Sequence, residues 1–174
     1  MKFTRITEKN IELAHSIEKK IFPDYDALNN YKDSLKEGAK GEFYIIEEKG
    51  NNIGVIGLYS YDDYPLDAWL GFFGLLDEYR HQGYGAQAIQ FFEGMARTWG
   101  FKYARLFTDT FDNDHAKEFY KEQGYKEEIY FNKEDPASLK YPISIFSKSL
   151  FDDECPAWNN RNIHFTKQVK KQQA

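Results

Sequence analysis

Two spacings of apolar residues alternate along this chain and predict its elements. Residues 2–6 alternate enough between apolar and polar to predict a short first strand. Apolar residues then recur three or four positions apart, which predicts a helix that Thr7 caps and Pro23 stops. A second, shorter helix follows with the same spacing, and Gly38 is placed to end it. The chain is therefore expected to begin with one strand and two helices.

Strand-like segments dominate the middle of the chain. Residues 42–48 and 53–61 are rich in β-branched and aromatic residues, and residues 50–52 between them, Gly-Asn-Asn, predict a hairpin turn. Pro65 is expected to break the chain before a central strand at 69–76, which is almost wholly apolar. A glycine-bearing segment follows that strand directly.

Helical spacing returns twice in the second half, each time after a strand. The first of these helices follows the central strand and is closed by Gly100, and the second begins at Asp112 or Asn113 and ends before Gly124. The remaining apolar segments predict strands at 103–110, 125–132 and 141–150. The order β, α, α, β, β, β, α, β, α, β, β contains only two clear β–α crossovers, so we predict a mixed α/β sheet with helices on both faces.

The composition narrows the class of protein. The 174 residues are enough for one domain with its own core. The net charge of −5 argues against a nucleic-acid partner and mildly favours a cationic substrate. Cys155 is the only cysteine, so no internal disulfide is possible, and no apolar segment approaches the length of a membrane span. Because residues 1–5 lack a signal-peptide pattern, we expect a soluble, cytoplasmic protein without a membrane partner.

The composition changes after Leu150. Residues 151–174 are mostly polar and have a basic end, which predicts a domain at 1–150 and a C-terminal tail at 151–174. The tail is expected to dock on the domain or on a second subunit, or to be partly disordered. Cys155 and His164 both lie in it, but a lone cysteine in a polar tail gives little support for an activated thiol.

The segment at 80–86 reads Arg-His-Gln-Gly-Tyr-Gly-Ala and joins the central strand to the following helix. The first turn of a helix carries backbone N–H groups without internal partners, and the helix dipole adds positive potential there. Gly83 and Gly85 have no Cβ, so a ligand can approach the main chain closely. The segment therefore predicts an anion site, most often one for phosphate.

Two common phosphate motifs fit this segment poorly. A Walker loop ends in Gly-Lys-Ser or Gly-Lys-Thr, whereas Gly85 is followed by Ala86 and Gln87. A dinucleotide fingerprint needs a third glycine, and Ile89 occupies its place. A phosphate-loop nucleotide binder is therefore the disfavoured alternative.

Two segments together resemble the GNAT acetyltransferase superfamily. Arg80-x-x-Gly83-x-Gly85-Ala86 is similar to the family's pyrophosphate loop, and a second segment is similar to its later helix-and-turn motif, Asn113-x-x-Ala116-x-x-Phe119-Tyr120-x-x-x-Gly124-Tyr125. Two motifs that occur in the family's order identify the family more specifically than either motif does alone. The resemblance implies a GNAT-type mixed, mostly antiparallel central sheet across residues 1–150, and it does not cover the tail.

The resemblance also implies acetyl-CoA as cosubstrate, held in a gap between the central strand and the next strand. The backbones of Phe73 and Leu75 would pair with the pantetheine arm, and Asn113 would line the other side. Backbone amides of the glycine-bearing segment would bind the pyrophosphate, with help from the Arg80 side chain. These segment residues are Arg80, His81, Gln82, Gly83, Tyr84, Gly85 and Ala86.

The same resemblance assigns chemical roles for direct transfer to an amine. Tyr120 matches the family's general acid, which protonates the departing thiolate, and a phenol is protonated at neutral pH. The N–H of Leu75 or Gly74 would polarise the thioester carbonyl as an oxyanion donor. Many members carry a glutamate on the central strand, but 69–76 holds no acid. Asp67 is the candidate base, with Glu42, Asp62, Asp63 and ordered water as alternatives.

These roles predict an acetyl-CoA-dependent N-acetyltransferase that needs no metal. The acceptor is expected to be a small-molecule or peptide amine, and a homodimer is a possible assembly. Because the central strand lacks an acid, a non-catalytic acyl-CoA sensor or interaction module is the alternative. The packing of Tyr120 into the core is likewise an alternative to its role as acid.

Overall fold

The computed structural model describes residues 1–109, 113–130 and 143–158. It divides into two compact units, Met1–Phe101 and Lys102–Ala174. The predicted order of strands and helices is confirmed, with one added 3-10 turn. Within the described ranges, the first unit contains β1 Lys2–Arg5, α1 Ile11–Ile21, α2 Leu28–Ser34, β2 Gly41–Glu48, β3 Asn51–Tyr61, β4 Tyr64–Leu75, the 3-10 turn Asp77–Tyr79 and α3 Tyr84–Thr98. The second contains β5 Tyr103–Asp109, α4 Asp114–Glu122, β6 Lys126–Tyr130 and β7 Ile143–Ser149.

The sheet of the first unit runs β1-β2-β3-β4, and every neighbouring pair is antiparallel. Phe43 and Ile45 of β2 point to the face that α1 and α2 cover, where they join the buried core. Tyr44 lies between them and so points to the opposite face. There Phe91 of α3 lies edge-on to Tyr44 with ring centroids 5.1 Å apart and stacks on Phe3 at 3.8 Å. Helices therefore cover both faces, and the predicted fold class is confirmed.

The strands of the second unit run β5-β7-β6, again antiparallel. Arg105 of β5 is fully buried, and its guanidinium donates to Ser147 Oγ over 2.7 Å and to the Pro156 carbonyl over 2.9 Å. Its cationic centre also lies 5.2 Å from the ring of Trp158, which is itself fully buried. Residues 156–158 are thereby packed onto this unit, while residues 159–174 lie outside the described ranges.

Three local expectations are wrong, and each has a local cause. The N-cap of α1 is Asn10 rather than Thr7, whose N–H instead donates to Asn10 Oδ1 over 2.7 Å. The turn of the first hairpin consists of Lys49 and Gly50, and not of residues 50–52. Both residues are left-handed, with φ of 47° and 80°, as the two central residues of such a turn must be. Pro65 lies inside β4, where residues 65–68 face the single residue Ser60 of β3. Regular pairing is interrupted there, so the missing N–H of proline removes no regular hydrogen bond between the two strands.

The bounds of the other elements agree with the sequence to within a few residues. The predicted strands at 125–132 and 141–150 appear as β6 and β7, but their neighbouring ends at 131–142 lie outside the described ranges, as does Asp112. None of the described helices is long and apolar enough to cross a bilayer.

Two glycines of the first unit should respond to alanine in opposite directions. A Cβ at Gly57 on β3 would overlap the buried Phe43 ring, whereas a Cβ at Gly94 on α3 would meet nothing within 4 Å. We expect Gly57→Ala to lower the free energy of unfolding by about 1–3 kcal/mol through overpacking. Gly94→Ala should raise it by about 0.5–1 kcal/mol, because alanine loses less backbone entropy in a helix.

Urea denaturation of both variants beside the wild type measures these changes. Equal midpoints for Gly57→Ala and the wild type would contradict the tight contact between β3 and Phe43.

Candidate functional site

The segment between β4 and α3 contains two left-handed backbone positions. The 3-10 turn Asp77–Tyr79 follows β4, and the chain then passes through His81 with φ of 59° and Gly83 with φ of 83° before α3 begins. A Cβ at Gly83 would meet no atom within 4 Å, so glycine is needed there for its conformation and not for space. Left-handed Gly83 is the N-cap of α3 and sets the direction in which the helix starts.

Three successive amides at the start of α3 lack a partner within the helix. The first bond of the helix runs from the N–H of Gln87 to the carbonyl of Gly83, at 3.3 Å. The amides of Tyr84, Gly85 and Ala86 precede it, and no side chain caps this end of the helix. Since α3 is 15 residues long, its dipole adds positive potential at the same point. The arrangement suits a phosphate or another anion.

Side chains of the segment hold its shape. The Nε of Arg80 donates to the carbonyl of Leu75 over 3.1 Å, and its Nη1 lies 2.9 Å from Asp77 Oδ1. The amide of the Gln82 side chain donates to the Glu78 carbonyl over 2.8 Å. Arg80, predicted to assist phosphate binding, therefore also ties the segment back to the end of β4.

A bulge interrupts β4 just before this segment. Val55 pairs with Gly74 and Gly57 with Gly71, so that Ile56 of β3 faces both Phe72 and Phe73. Phe72 has φ of 43°, a left-handed value that the first residue of such a bulge normally reaches as glycine. Its ring packs against Phe22 and Phe43, at centroid distances of 6.3 and 6.5 Å. Nothing in the sequence marks Phe72 as left-handed, and sequence reasoning missed this feature.

The ladder beyond the bulge fixes the direction of the Leu75 backbone. Leu76 donates its N–H to the carbonyl of Ile53 over 2.9 Å, which makes these two residues a hydrogen-bonded pair. Bonded and non-bonded pairs alternate along antiparallel strands, so Leu75, opposite Gly54, directs its N–H and C=O away from β3. Gly74, the preceding residue, directs its N–H towards β3 and is therefore the poorer of the two candidate oxyanion donors.

Tyr120 is positioned by the way α4 ends. Gly124 has φ of 89°, its N–H donates to Lys121 O over 3.0 Å, and the N–H of Tyr125 donates to Tyr120 O over 3.1 Å. These two bonds define a Schellman motif, in which the residue after the glycine packs on the helix. Here the Tyr125 and Tyr120 rings lie 6.2 Å apart, and Phe146 of β7 lies 5.5 Å from the Tyr120 ring.

The environment of Tyr120 favours its protonated form. Burial raises the pKa of its hydroxyl well above the ordinary range for tyrosine, because the phenolate would lose its hydration. The hydroxyl therefore keeps its proton across the physiological pH range. Asn113, the other predicted residue of this unit, is the N-cap of α4, and its side-chain amide donates to Thr108 Oγ1 of β5 over 3.1 Å.

The candidate bases are not brought together with Leu75. Asp67 is 3% exposed and lies in β4, eight residues before Leu75, a separation of roughly 25 Å at the usual rise of a strand. Glu42 is paired with Arg5 at 3.1 Å, and Asp62 is paired with Lys40 at 3.2 Å. Asp67 is thus too far along β4 to reach the Leu75 N–H directly, and Glu42 and Asp62 are engaged with other side chains.

Two tyrosines of β3 and one tryptophan of β4 form a packed aromatic group. Tyr59 lies 5.7 Å from Tyr61 and 6.3 Å from Trp69, measured between ring centroids, and Tyr61 lies 6.0 Å from Trp69. Burial raises the pKa of the Tyr59 hydroxyl, so this ring is neutral. The three rings thus link the neighbouring strands β3 and β4.

One cluster was missed because the fold, and not the sequence spacing, creates it. His15 and Glu18 share a turn of α1, and Asp26 returns from the following loop, so that ligand atoms of the three residues lie within 4.8 Å of one another. Asp26 is eleven residues from His15, so sequence spacing does not group the three residues. The sequence showed only the spacing of His15 and Glu18.

The sequence and the structure both resemble known proteins. The family model described as "Acetyltransferase (GNAT) family" matches residues 8–125, which include both motifs. The ribosomal-protein-S18-alanine N-acetyltransferase from Escherichia coli has a TM-score of 0.68 at 14% identity, over 90% of this chain and 98% of that chain. The aminoglycoside 6'-N-acetyltransferase from Enterococcus faecium has a TM-score of 0.67 at 14% identity, over 89% and 100%.

A third solved structure holds the expected cosubstrate. It is a GNAT family acetyltransferase from Elizabethkingia anophelis with acetyl-CoA bound, with a TM-score of 0.67 at 14% identity over 85% of this chain and 97% of that chain. At these identities the three structures show a shared fold. No curated protein sequence matches the chain.

The left-handed conformation of Gly83 should be required for binding of coenzyme A. Alanine in a left-handed conformation costs about 1–2 kcal/mol, so Gly83→Ala should redirect the amides of 84–86 and weaken acetyl-CoA binding by about 10-fold. Isothermal titration calorimetry with acetyl-CoA measures the change.

Gly38→Ala is the matched control, because Gly38 also has a positive φ, 73°, and no atom within 4 Å of a Cβ. It should lose similar stability and keep its affinity. Equal affinities for Gly83→Ala and Gly38→Ala would count against the segment as the anion site.

Proposed function

The chain belongs to the GNAT family of acetyltransferases, and from that premise we propose that it transfers the acetyl group of acetyl-CoA to a primary amine by direct attack. The family model spans more than half of the chain, including the glycine-bearing segment and the end of α4. The acceptor, the residues that bind acetyl-CoA and the residues that promote transfer are parts of the proposal.

The amides that begin α3 are the observation that carries the proposal. Tyr84, Gly85 and Ala86 offer N–H groups without helical partners beside left-handed Gly83. We assign the pyrophosphate of acetyl-CoA to these amides, with His81 and Gln82 completing the backbone of the site. Arg80 keeps the segment in shape through its bond to the Leu75 carbonyl and adds positive charge beside the phosphates.

The edge of β4 that faces away from β3 supports the second part of the proposal. The carbonyl of Leu75 is occupied by Arg80, so its N–H is the group that this residue offers to a ligand. We assign this N–H to the thioester oxygen, where it stabilises the negative charge that develops as the amine attacks. Phe73, in the adjacent bulge, is the proposed backbone partner of the pantetheine arm.

Tyr120 is the proposed general acid. Acetyl-CoA supplies an activated acyl group whose leaving group is a thiolate, and Tyr120 gives that sulfur a proton as the carbon–sulfur bond breaks. The buried, neutral hydroxyl fits this role, and the Schellman motif at Gly124 fixes the ring. Asn113, at the N-cap of α4, is the proposed cofactor contact from the same unit.

The attacking amine must be neutral, and we assign its deprotonation to solvent. The apolar strand around Leu75 carries no acid, and Asp67 lies eight residues away along β4. A chain of ordered water then carries the proton out. The charge of −5 on the whole protein favours amines that arrive as cations.

The acceptor class is the least defined part of the proposal. The similar folds named above act, by their names, on an aminoglycoside and on a ribosomal-protein alanine. Both kinds of acceptor present a primary amine, which is the class we propose here. The half-buried rings of Tyr59 and Tyr61, packed against the buried Trp69, suit an acceptor with apolar or cationic parts.

Two measurements test this function. Titration calorimetry with acetyl-CoA should give saturable binding, and a thiol assay should then show release of free CoA with one member of a panel holding a polyamine, an aminoglycoside and a peptide with a free N-terminus. The lack of an acid within residues 69–76 favours one rival, a non-catalytic acyl-CoA sensor. Binding without thiol release across the panel would support that rival, and the absence of binding would overturn both.

Replacement of Tyr120 should separate catalysis from binding. Tyr120→Phe removes the proton donor and keeps the ring that packs on Tyr125 and Phe146. We expect kcat to fall by about 10-fold or more with little change in KM for acetyl-CoA, as measured by thiol release with an active amine.

Tyr125→Phe serves as the control, because it removes a hydroxyl from the same aromatic group. An unchanged kcat for Tyr120→Phe, in single-turnover conditions where chemistry limits the rate, would rule out the acid role.

A further inference from the structure

A carboxylate on α1 is buried without a hydrogen-bond partner. Glu18 is 0% exposed, and neither of its carboxylate oxygens has a bond of good geometry. The backbone amide of Ala27 and the charges of His15 and Lys19 act on this carboxyl. An ionised carboxylate removed from water is costly unless a charge is paired with it. The position therefore calls for a cationic partner.

Two further ligand atoms converge on Glu18. The Nε2 atom of His15, also buried and without a hydrogen bond, lies 3.9 Å from Glu18 Oε2 and 3.2 Å from Asp26 Oδ1. One imidazole nitrogen and two carboxylates thus meet at one point between α1 and the loop before α2. When a cation replaces the protons of the imidazole and the carboxyl, these three side chains carry two negative charges.

We propose that His15, Glu18 and Asp26 bind one divalent transition-metal cation, with Zn²⁺ the best match. Zinc takes nitrogen and carboxylate oxygen at about 2.0–2.2 Å, which places two tetrahedral ligand atoms roughly 3.3–3.5 Å apart. The 3.2 Å separation of His15 and Asp26 is close to this value already, and Glu18 needs to approach His15 by about half an ångström. Imidazole with carboxylates favours zinc and its neighbours over Mg²⁺ or Ca²⁺.

The surroundings of the site suit a bound cation. The backbone N–H of Leu28 donates to Asp26 Oδ1 over 2.9 Å, which orients this carboxylate as outer contacts of metal ligands commonly do. Lys19, the cation nearest in sequence, donates its Nζ to the carbonyls of Pro23 and Tyr25 over 2.8 and 2.6 Å. These bonds shape the loop that brings Asp26 back to α1. The side chain of Asp26 is 65% exposed, so water can complete the coordination.

The residues of this cluster are not among those proposed for acetyl transfer, and the test does not depend on activity. Full-length protein treated with a chelator is titrated with Zn²⁺ in a calorimeter, and its thermal unfolding is followed with and without the ion. We expect about one bound ion and a higher unfolding temperature, because the ion binds the folded state preferentially.

Variants assign the bound ion to these residues. His15→Gln and Asp26→Asn should each weaken Zn²⁺ binding by about 10-fold or more. Glu18→Gln should weaken binding too, but Glu18 is buried and its replacement can prevent folding. Asp26 is on the surface, so Asp26→Asn tests the site without that complication. His115→Gln and Asp33→Asn are matched controls on other helices and should bind as the wild type does, and Cys155→Ser checks for a thiolate site in the tail.

Two results would overturn the proposal. The first is a wild-type protein that takes up no Zn²⁺ in the calorimeter. The second is binding that His15→Gln and Asp26→Asn leave unchanged or that Cys155→Ser abolishes.

Discussion

The left-handed backbone at three positions between 72 and 83 is the constraint on which the proposed site depends. Phe72 forms the bulge of β4, and His81 and Gly83 turn the chain between that strand and α3. The bulge shifts the register of β4 by one residue, so the part of the strand after it pairs differently from the part before it. That shift decides which edge each amide faces, and it directs the Leu75 N–H away from β3. Gly83 then directs the first amides of α3 to a common point.

The way in which α4 ends explains why the second family motif contains glycine followed by tyrosine. Both α3 and α4 end in the same way, with Gly100 and Gly124 left-handed and the next residue donating back to the last turn. At α4 the residue after the glycine is Tyr125, whose ring packs on Tyr120. The Gly-Tyr pair of the motif is therefore a device that fixes the position of the tyrosine one turn earlier. The family pattern and the helix-capping rule describe one physical arrangement.

Much of the fold followed from periodicity alone, because amphipathic helices and apolar strands leave regular patterns. The order of elements, the closing glycines and the segment at 80–86 were all readable. Features that depend on contacts between distant parts of the chain could not be predicted in this way. Nothing local marks Lys49 or Phe72 as left-handed, and Pro65 lies where the register of β4 against β3 is irregular. The His15, Glu18 and Asp26 cluster depends on the path of a loop, which periodicity does not describe. The roles of Tyr120 and Leu75 come from a family likeness, and geometry within each unit makes them reasonable.

The packing of Arg105 sets a lower limit on how short this polypeptide can be made. Its guanidinium is screened from water by Trp158 and bound by the Pro156 carbonyl, although the composition turns polar soon after β7. A truncation before Pro156 would leave a charged group inside the second unit without these contacts, and such a group is strongly destabilising. Expression designs, crystallisation trimming and reporter fusions should keep the chain intact through Trp158, with any cut or junction placed later.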